Sequence, residues 1–582
     1  MVSPIRRILS YLGPYRRLSI YAILMLVASV AVELMIPQMI RRIIDEGIAP
    51  RDMNVILATT ALMIGAALIE VVLTIGNTIL SVKAAQSLAA DVRAAVFHKI
   101  QSYSFGNLDR FQTGQLIVRL TSDVNMIQMM VLMGLRIFTR APLMIVGSIA
   151  LMVITSRDLA MISLLLLPLT LILSGAFIVK AQPMFMEVQK RLDKLNTVLQ
   201  ENLAGVRVVK AFIRMRHEAE RFDEANVDLS QQSIRVTRML SVLFPSMALI
   251  INLSMISIVW FGGQQTVLGK FTIGEIMAFI NYLQSASFPL LFLAMMAGQL
   301  SAANASAQRI YEVLDFQPEV QDRPGAKPLT DVKGKVAFEN VCFSYTKNCA
   351  EPVLDEINLV AEPGQTVAIL GATGSGKSTL INLIPRFYEV TRGRLTIDGV
   401  DIRDVTLDSL RANIGVALQD VVLFSGAIKE NIRYGRPDAS EDEVVAAAKA
   451  AQAHDFIMSF PDGYDSDVGQ RGVNLSGGQK QRISIARALL VKPKILILDD
   501  STSSVDAEIE AKIQKELEKI MANRTCFVVA QRISTVLKAD KIVILDEGRI
   551  VAEGAHRELM DSSPIYREIY ESQLGDRGSK VD

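Results

Sequence analysis

Six apolar stretches fill the first half of the chain. They run from Leu18 to Gln38, Val55 to Val82, Ala141 to Ser156, Leu159 to Val179, Leu240 to Leu268 and Ile276 to Ala307. Each holds the ~20 apolar residues needed to cross hydrocarbon, if the third begins near residue 127 and includes Arg136 and Arg140. The pattern predicts six membrane spans, at about residues 18–40, 55–82, 127–155, 159–179, 240–268 and 276–300.

The segments between these spans alternate between short and long. Residues 83–128 carry five Lys or Arg and residues 180–238 carry eleven, whereas 41–54, 156–158 and 269–275 carry three, one and one. The positive-inside rule then places the long segments and both termini in the cytoplasm, as in a multi-pass protein of the cytoplasmic membrane. The long segments 83–126 and 180–239 are poor in Gly and Pro and show helical apolar spacing, so we expect them to extend the spans as cytoplasmic helices.

Each long segment is interrupted by a short stretch that mixes aromatic and charged residues. These stretches are Ser104–Phe111 and Gly205–Phe212. They fit a docking element for another domain and a plain helix–helix turn equally well.

The pattern changes after residue 316. Residues 317–335 are polar and rich in Pro, which indicates a linker that follows a transmembrane domain of residues 1–316. Short apolar strands then alternate with helices, which predicts an α/β domain with a largely parallel sheet over residues 336–571 and a tail over 572–582. The predicted strands are Val336–Phe343, Val367–Leu370, Leu395–Ile397, Ile414–Leu418, Ile495–Leu498, Cys526–Ala530 and Lys541–Leu545.

Composition excludes several classes of protein. Half of the residues are hydrophobic and the mean hydropathy of +0.32 is high for a soluble protein. The net charge of +1 implies no nucleic-acid partner. The three cysteines, Cys342, Cys349 and Cys526, have no zinc-ligand spacing and are interpreted as structural thiols.

The stretch Val367–Thr379 carries the clearest chemistry, because Gly371 begins the pattern G-x-x-x-x-G-K-S that ends at Ser378. Its glycines let the backbone curl so that N–H groups point at phosphate oxygens. Lys377 adds a charge for the β- and γ-phosphates, and Ser378 offers a hydroxyl to Mg²⁺. An apolar strand precedes the loop and an apolar helix follows it. The sequence therefore predicts a nucleoside-triphosphate site formed by Gly371, Ala372, Thr373, Gly374, Ser375, Gly376, Lys377, Ser378 and Thr379.

Two further stretches indicate which class of nucleotide-binding protein this is. Leu475-Ser-Gly-Gly-Gln-Lys-Gln-Arg482 leads into a helix, and its small residues expose backbone N–H groups suited to phosphate. The apolar strand from Ile495 ends in Asp499, a carboxylate suited to Mg²⁺. With the P-loop, in this order, these stretches resemble the nucleotide-binding domain of ATP-binding-cassette (ABC) transporters. With six preceding spans, the whole chain resembles a half-transporter of the multidrug exporter type.

The resemblance implies a fold and a set of site residues. It implies an all-α six-helix transmembrane domain, then an α/β P-loop domain with a helical subdomain, acting as a transporter ATPase that uses ATP and Mg²⁺. By position, Tyr345 matches the aromatic that stacks on adenine, and Gln419 matches the glutamine that touches Mg²⁺ and the attacking water. The signature that meets the γ-phosphate of ATP held by the other subunit is matched by Ser476, Gly477, Gly478 and Gln479.

Two departures fall on the hydrolytic positions. The family pattern has a glutamate directly after the Mg²⁺ aspartate, as the base for water, and here that residue is Asp500. It also has a histidine that bridges water and γ-phosphate, and here that residue is Gln531. Aspartate is one methylene shorter, and glutamine cannot titrate. The alternative is that both are tolerated variants with near-normal turnover.

The combination looks like the degenerate-site subunit of a heterodimeric exporter. This chain would bind ATP at an impaired site and supply an intact signature to a partner that carries the missing glutamate and histidine. The alternatives are a homodimer, an exporter of lipids or peptides and, in a different class, an ATP-gated channel or regulatory subunit.

Two acidic residues lie within predicted spans. Glu33 and Glu70 are candidate substrate residues, because an ionisable group inside a span usually faces the bundle interior or a water-filled path. They lean towards cationic, drug-like amphiphiles. Hydrogen bonding to a neighbouring helix explains them equally well, and explains Glu33 somewhat better.

Overall fold

The chain divides into two compact units. The first comprises Met1–Gln101 and Thr113–Phe316, and the second comprises Ser102–Gln112 and Gln317–Asp582. The computed structural model describes residues 4–346, 351–500, 513, 515–516, 524–530, 533 and 536–574. Of these, the side chains at 162–167, 170, 171, 174, 178, 244, 288 and 290–298 are outside the description.

The described residues of the first unit form helices joined by short turns. Its helices are α1 (Pro4–Leu9), α2 (Arg16–Arg42), α3 (Met53–Gln101), α5 (Thr113–Val118), α6 (Val124–Met133), α7 (Thr139–Thr155), α8 (Arg157–Ala204), α9 (Val206–Ala211), α10 (Met215–Val267) and α11 (Ile273–Asp315), with α4 (Phe105–Arg110) belonging to the second unit. One 3₁₀ segment (Ser10–Tyr15) and three π-helical segments (Ile43–Ile48, Arg119–Asp123 and Gly134–Phe138) join them.

Four helical stretches within the described residues are long and apolar enough to cross a membrane. They are Pro4–Ile48, Met53–Gln101, Thr113–Thr155 and Met215–Val267. The other two predicted spans, at 159–179 and 276–300, fall in α8 and α11, where part of the side chains lies outside the description. The count of six spans therefore stays a prediction.

The predicted helical extensions are confirmed as helix. α3 continues from its apolar part to Gln101 without a break, α8 continues to Ala204, and α10 begins at Met215. The caps are set by sequence: the Ser156 hydroxyl accepts the N–H of Leu159 at the start of α8. Both predicted interruptions form short helices, α4 and α9.

The described residues of the second unit form three sheets. Its strands are β1 (Val336–Phe343), β2 (Leu354–Ala361), β3 (Thr366–Leu370), β4 (Arg392–Ile397), β5 (Val400–Asp401), β6 (Ile414–Ala417), β7 (Gly426–Ala427), β8 (Asp467–Val468), β9 (Ile495–Asp499), β10 (Thr525–Val529), β11 (Lys541–Asp546) and β12 (Arg549–Gly554). A six-stranded sheet has the order β12-β11-β3-β10-β9-β6, a second has the order β2-β1-β4-β5, and β7 pairs with β8.

The prediction of one largely parallel sheet holds for the six-stranded sheet and is wrong for two of its proposed strands. β3, β6, β9, β10 and β11 pair in parallel, with β12 as an antiparallel edge. β1 and β4 instead pair antiparallel to each other, and β2, which was not predicted, pairs antiparallel to β1. β2 was missed because Asp355, Glu356 and Asn358 interrupt its apolar residues, as in a strand with one solvated face.

The helices of the second unit cover these sheets. They are α12 (Lys377–Leu383), α13 (Leu407–Ala412), α14 (Ile428–Arg433), α15 (Glu441–Ala450), α16 (His454–Met458), α17 (Gly477–Leu490), α18 (His556–Ser562) and α19 (Pro564–Leu574). α14 to α17 lie between β6 and β9 in the chain, and α14 and α15 both pack on α17, which fits the predicted helical subdomain.

Candidate functional site

The loop between β3 and α12 has a backbone that only glycine allows at several positions. Gly371, Gly374 and Gly376 have φ of 153°, 85° and 97°. A Cβ on Gly371 would lie 2.1 Å from the carbonyl oxygen of Leu545, and one on Gly376 would lie 2.8 Å from Leu354 Cδ2. The loop therefore packs tightly against β11 and β2 on one side and exposes Ala372, Thr373 and Gly374 on the other.

The lysine of this loop is held by the loop itself. Lys377 Nζ donates to the carbonyl oxygens of Gly371 and Ala372, at 2.9 and 2.7 Å. Burial lowers the pKa of Lys377, while the carboxylates of Asp499 and Asp500 oppose that shift. The ammonium is thus close to two acidic groups, at the point where phosphate charge is expected.

The groups suited to Mg²⁺ are brought together. Ser378 Oγ donates to Asp499 Oδ1 at 3.2 Å, and the Asp499 side chain is buried at the end of β9. Burial raises the pKa of Asp499 and repulsion from Asp500 adds to the rise, with the Ser378 hydrogen bond opposing it. A hydroxyl and a carboxylate oxygen in this arrangement fit a hard divalent cation, which would relieve the repulsion between the two carboxylates.

Of the positions expected to act on water, two are described. Asp500 is buried, has φ of 44°, and donates its backbone N–H to Val529 O at 3.0 Å, which fixes the residue beside β10. Gln419 is exposed two residues beyond β6. Since Ala417 pairs with Leu498 in parallel register, Gln419 and Asp500 leave the same edge of the sheet on neighbouring strands. Gln531 lies outside the described residues.

Tyr345 is half-exposed and braced beside the loop. Its hydroxyl lies 3.0 Å from Thr379 Oγ1, and its ring meets Phe343 and Tyr388 edge-on, with centroids 4.9 and 5.3 Å apart. The bracing fixes the ring, and its exposed part is available to a flat ligand such as adenine.

The signature residues form a capping box at the start of α17. Ser476 Oγ accepts the N–H of Gln479 at 3.3 Å, and Gln479 Oε1 accepts the N–H of Ser476 at 2.8 Å. The capping box satisfies the N–H groups of Ser476 and Gln479. The N–H groups of Gly477 and Gly478 take no part in it.

Within the second unit, α4 packs on the segment that follows α12. Phe105 stacks on Phe387 with centroids 4.3 Å apart, and Tyr388 Oη donates to Asp109 Oδ2 at 2.8 Å. Arg110 pairs with Glu319 at 2.8 Å. These contacts favour the docking alternative for Ser104–Phe111. For Gly205–Phe212 the two alternatives stay open, with Phe212 exposed.

The first unit contains a cavity of about 470 Å³ between α2, α11 and α7, together with the π-helical segment that precedes α7. It is lined by Glu33, Ile137, Arg140, Ala141, Met144, Gln284, Ser285 and Pro289. Glu33 Oε2 accepts from Arg140 Nη2 at 2.5 Å, so the hydrogen bond to a neighbouring helix expected as an alternative is present on the cavity wall. Glu70 is half-buried on α3 and is not among the residues that line this cavity.

The helices around this cavity are tied together by polar contacts. Tyr282 Oη on α11 donates to Leu34 O on α2 at 3.1 Å. Asp45, beyond α2, accepts from Thr272 Oγ1 at 2.5 Å and from the N–H of Gly274 at 3.0 Å. α2 and α11 are therefore fixed against each other at the cavity.

Sequence reasoning missed Tyr388, Asp109 and the role of Arg140. Tyr388 lies in no motif, and its contacts join segments 279 residues apart. Arg140 carried a signal, since an arginine inside a predicted span needs a partner.

Comparisons with known proteins cover the whole chain. Residues 19–290 match the ABC transporter transmembrane region, and residues 354–503 match the ABC transporter family. The chain is 40% identical to an uncharacterized ABC transporter ATP-binding protein, YfiB, of Bacillus subtilis, over 99% of this chain and 100% of that protein. It is 38% identical to an ATP-dependent lipid A-core flippase of Syntrophus aciditrophicus, over 84% of this chain and 81% of that protein. A solved structure of a bacterial Atm1-family ABC exporter with ATP bound is similar with a TM-score of 0.80, at 28% identity, over 97% of this chain and 99% of that one.

Proposed function

The chain belongs to the ABC transporter family, as a half-transporter of the exporter type, and from that premise we propose that it exports amphiphilic small molecules as one half of a heterodimer. It binds ATP with Mg²⁺ at a site of its own that hydrolyses slowly, and most turnover occurs at the partner's site. The transported molecules are drug-like or lipid-like.

The proposal rests on a difference within the nucleotide site: the residues for binding ATP and Mg²⁺ match the family pattern, whereas the residue expected to act on water does not. The Lys377 ammonium is held by the carbonyl oxygens of its own loop, and Ser378 is hydrogen-bonded to Asp499, an arrangement suited to ATP and Mg²⁺. The next residue, Asp500, is one methylene shorter than the glutamate of the family pattern, and its backbone is tied to Val529 O. This hydrogen bond opposes a backbone shift that would recover the missing length of the carboxylate.

The helix start at Ser476 supports the second half of the proposal. Its capping box fixes the backbone around Gly477 and Gly478, so the signature is preformed for the γ-phosphate of ATP bound to a partner subunit. The partner supplies the glutamate and histidine, and the lipid bilayer surrounds the apolar helices, with the nucleotide-binding domain and both termini in the cytoplasm. The name of the Syntrophus relative, a lipid A-core flippase, supports an amphiphilic cargo.

The test restores the two hydrolytic groups in the purified full-length chain. The wild-type chain alone binds Mg-ATP and turns it over slowly, because a displaced general base typically costs ~10²–10⁴-fold in rate. The double variant Asp500→Glu, Gln531→His raises steady-state ATPase activity, while equilibrium binding of ATP stays within about twofold, since the P-loop, Ser378 and Asp499 are unchanged.

Controls separate the alternatives. Adding Lys377→Ala to the double variant abolishes the gain, which shows that the new activity arises at this chain's own site. Vigorous ATPase activity of the wild-type chain alone would overturn the impaired-site proposal and favour a homodimer. An ATP-dependent ion current in place of substrate uptake by inverted vesicles would identify a channel.

A further inference from the structure

The cavity of the first unit has a charged wall whose two charges cancel. Glu33 and Arg140 are the two charged residues among those that line it, and they are joined at 2.5 Å. Neither is fully covered, because the Glu33 side chain is 27% exposed and that of Arg140 is 35% exposed. Within the described part of the chain, the second oxygen of Glu33 and the remaining N–H groups of Arg140 are without a protein partner, so both groups retain capacity for a ligand.

Among the described residues that line the cavity, the rest are apolar or neutral, and Glu70, which is close enough to repel Glu33, does not line it. Ile137, Ala141, Met144 and Pro289 supply apolar surface, and Gln284 and Ser285 supply neutral polar groups on α11. A cavity of about 470 Å³ is in the range that encloses a drug-sized ligand or the head region of a lipid. A ligand that fills it brings its polar end to the Glu33–Arg140 pair and its apolar part to the opposite wall.

The paired wall discriminates between ligands by net charge. A purely cationic ligand pairs with Glu33 but is repelled by Arg140. A purely anionic ligand pairs with Arg140 but is repelled by Glu33. Either therefore leaves one charge of the pair uncompensated. A ligand with an ammonium and an anionic group side by side can pair with both residues and leaves no net charge. We propose that this cavity binds zwitterionic amphiphiles, which recognise the Glu33–Arg140 pair as a dipole; the inference rests on the proposed export of amphiphiles and narrows it.

The test compares three probes that share a dodecyl chain and differ in the head group. They are dodecylphosphocholine, dodecyltrimethylammonium and dodecanoate, added to the transporter in its native assembly in nanodiscs of one fixed lipid composition. Equilibrium binding of labelled probe and stimulation of ATPase activity are both measured. The wild type binds the phosphocholine probe about tenfold more tightly than either singly charged probe, in line with the cost of an unpaired charge at a partly buried site.

Single neutral substitutions then reverse the preference in opposite directions. Glu33→Gln leaves Arg140 unpaired and shifts the preference to dodecanoate, whereas Arg140→Gln leaves Glu33 unpaired and shifts it to dodecyltrimethylammonium. The double variant loses the preference. The matched control is Glu46→Gln, which breaks the exposed Arg42–Glu46 pair beyond α2 and leaves all three affinities unchanged.

The outcomes separate this inference from the proposal that it rests on. Absence of binding for all three probes, in every variant, would overturn export of amphiphiles as such. Binding of all three with a preference that ignores both substitutions would overturn the zwitterion inference and leave amphiphile export standing. A single-charge variant that misfolds is recognised by loss of basal ATPase activity, and the oppositely charged variant then decides.

Discussion

Lys377 shows how a single side chain prepares a phosphate site. Its ammonium is held by two backbone carbonyls of its own loop and lies near two carboxylates, while burial lowers its pKa. Bound phosphate would replace carbonyl oxygens by anionic ones, which are stronger partners for an ammonium. The residue therefore contributes to binding without a large rearrangement of its stem.

We expect Lys377→Ala to weaken ATP binding at this chain's site by about 10- to 100-fold, since a hydrogen bond to a charged group is worth roughly 1.5–3 kcal/mol. The measurement is the affinity for a fluorescent ATP analogue in the full-length chain. Lys492→Ala is the matched control, because this lysine pairs with Glu443 at the surface and removes the same charge. Equal affinities for wild type and Lys377→Ala would contradict the P-loop assignment.

For individual residues, the sequence predicts those that belong to one motif and misses those that pair across the fold. Lys377 and Ser378 follow from a local pattern in which each residue type has a fixed chemical role. Asp499 follows from a strand that ends in a carboxylate. The contact of Tyr388 with Asp109 follows from no local pattern, because it depends on how α4 packs. The pairing of Glu33 with Arg140 likewise depends on the rotation of two helices about their axes.

Among the elements, α4 is held in place by a small set of identifiable contacts. It is a helix of six residues, too short to be stable alone, so its conformation depends on the Ser104–Asn107 cap and on its packing against Phe387 and Tyr388. Asn107 Oδ1 also accepts the N–H of Glu319 at 3.0 Å. Tyr388 in turn contacts Tyr345, the candidate adenine residue, so one side chain joins the nucleotide site to α4.

We expect Tyr388→Phe to reduce transport several-fold with little change in ATP affinity. The ring and its contact with Tyr345 remain, and only the hydrogen bond to Asp109 is lost. Substrate-stimulated ATPase activity and substrate uptake into inverted vesicles are measured in parallel, and Asp109→Asn gives the same loss because a neutral acceptor weakens the bond.

Tyr434→Phe is the control for this experiment, because Tyr434 is exposed and stacks on Phe424 away from α4. A double variant with both Tyr388→Phe and Asp109→Asn is no worse than either single variant if the two groups act through one bond. Additive losses would show that they act separately.

Element types were predictable wherever periodicity was strong. The long helices α3, α8 and α10 follow from their apolar spacing, and the central strands of the six-stranded sheet follow from continuous apolar runs. β2 and β12 have one exposed face, so their alternating pattern is short and diluted by charges such as Asp355 and Glu356. Strand order was beyond the pattern, because β3 pairs with β10 and β11, which come far later in the chain.

In the proposed transporter, the P-loop of this chain binds ATP at its own site, whereas its signature acts on ATP held by the partner. Ser476→Ala is therefore expected to leave ATP binding at this chain's own P-loop unchanged and to slow hydrolysis at the partner's site. The serine caps α17, so the variant also costs about 1 kcal/mol of helix stability, and Ser440→Ala, which removes the same kind of cap from α15, controls for that loss.

The measurement is ATPase activity of the assembled heterodimer, with nucleotide occupancy of each site followed separately. A loss that is equal for Ser476→Ala and Ser440→Ala would reduce the signature's role to helix stability. Slowed turnover in Ser476→Ala alone supports action across the dimer.

The nucleotide-binding unit is made from two separate pieces of chain, since Ser102–Gln112 belongs to it while the residues on either side do not. The unit is therefore not a transferable module with one junction. A chimera that joins residues from 317 onwards to a foreign membrane domain keeps Phe387, Tyr388 and Glu319 but receives the host's segment in place of α4. Whether such a graft works depends on three host positions, those of Phe105, Asp109 and Arg110, more than on the linker at which it is cut. Recombination between relatives meets the same restriction, so these distant positions are expected to be inherited together.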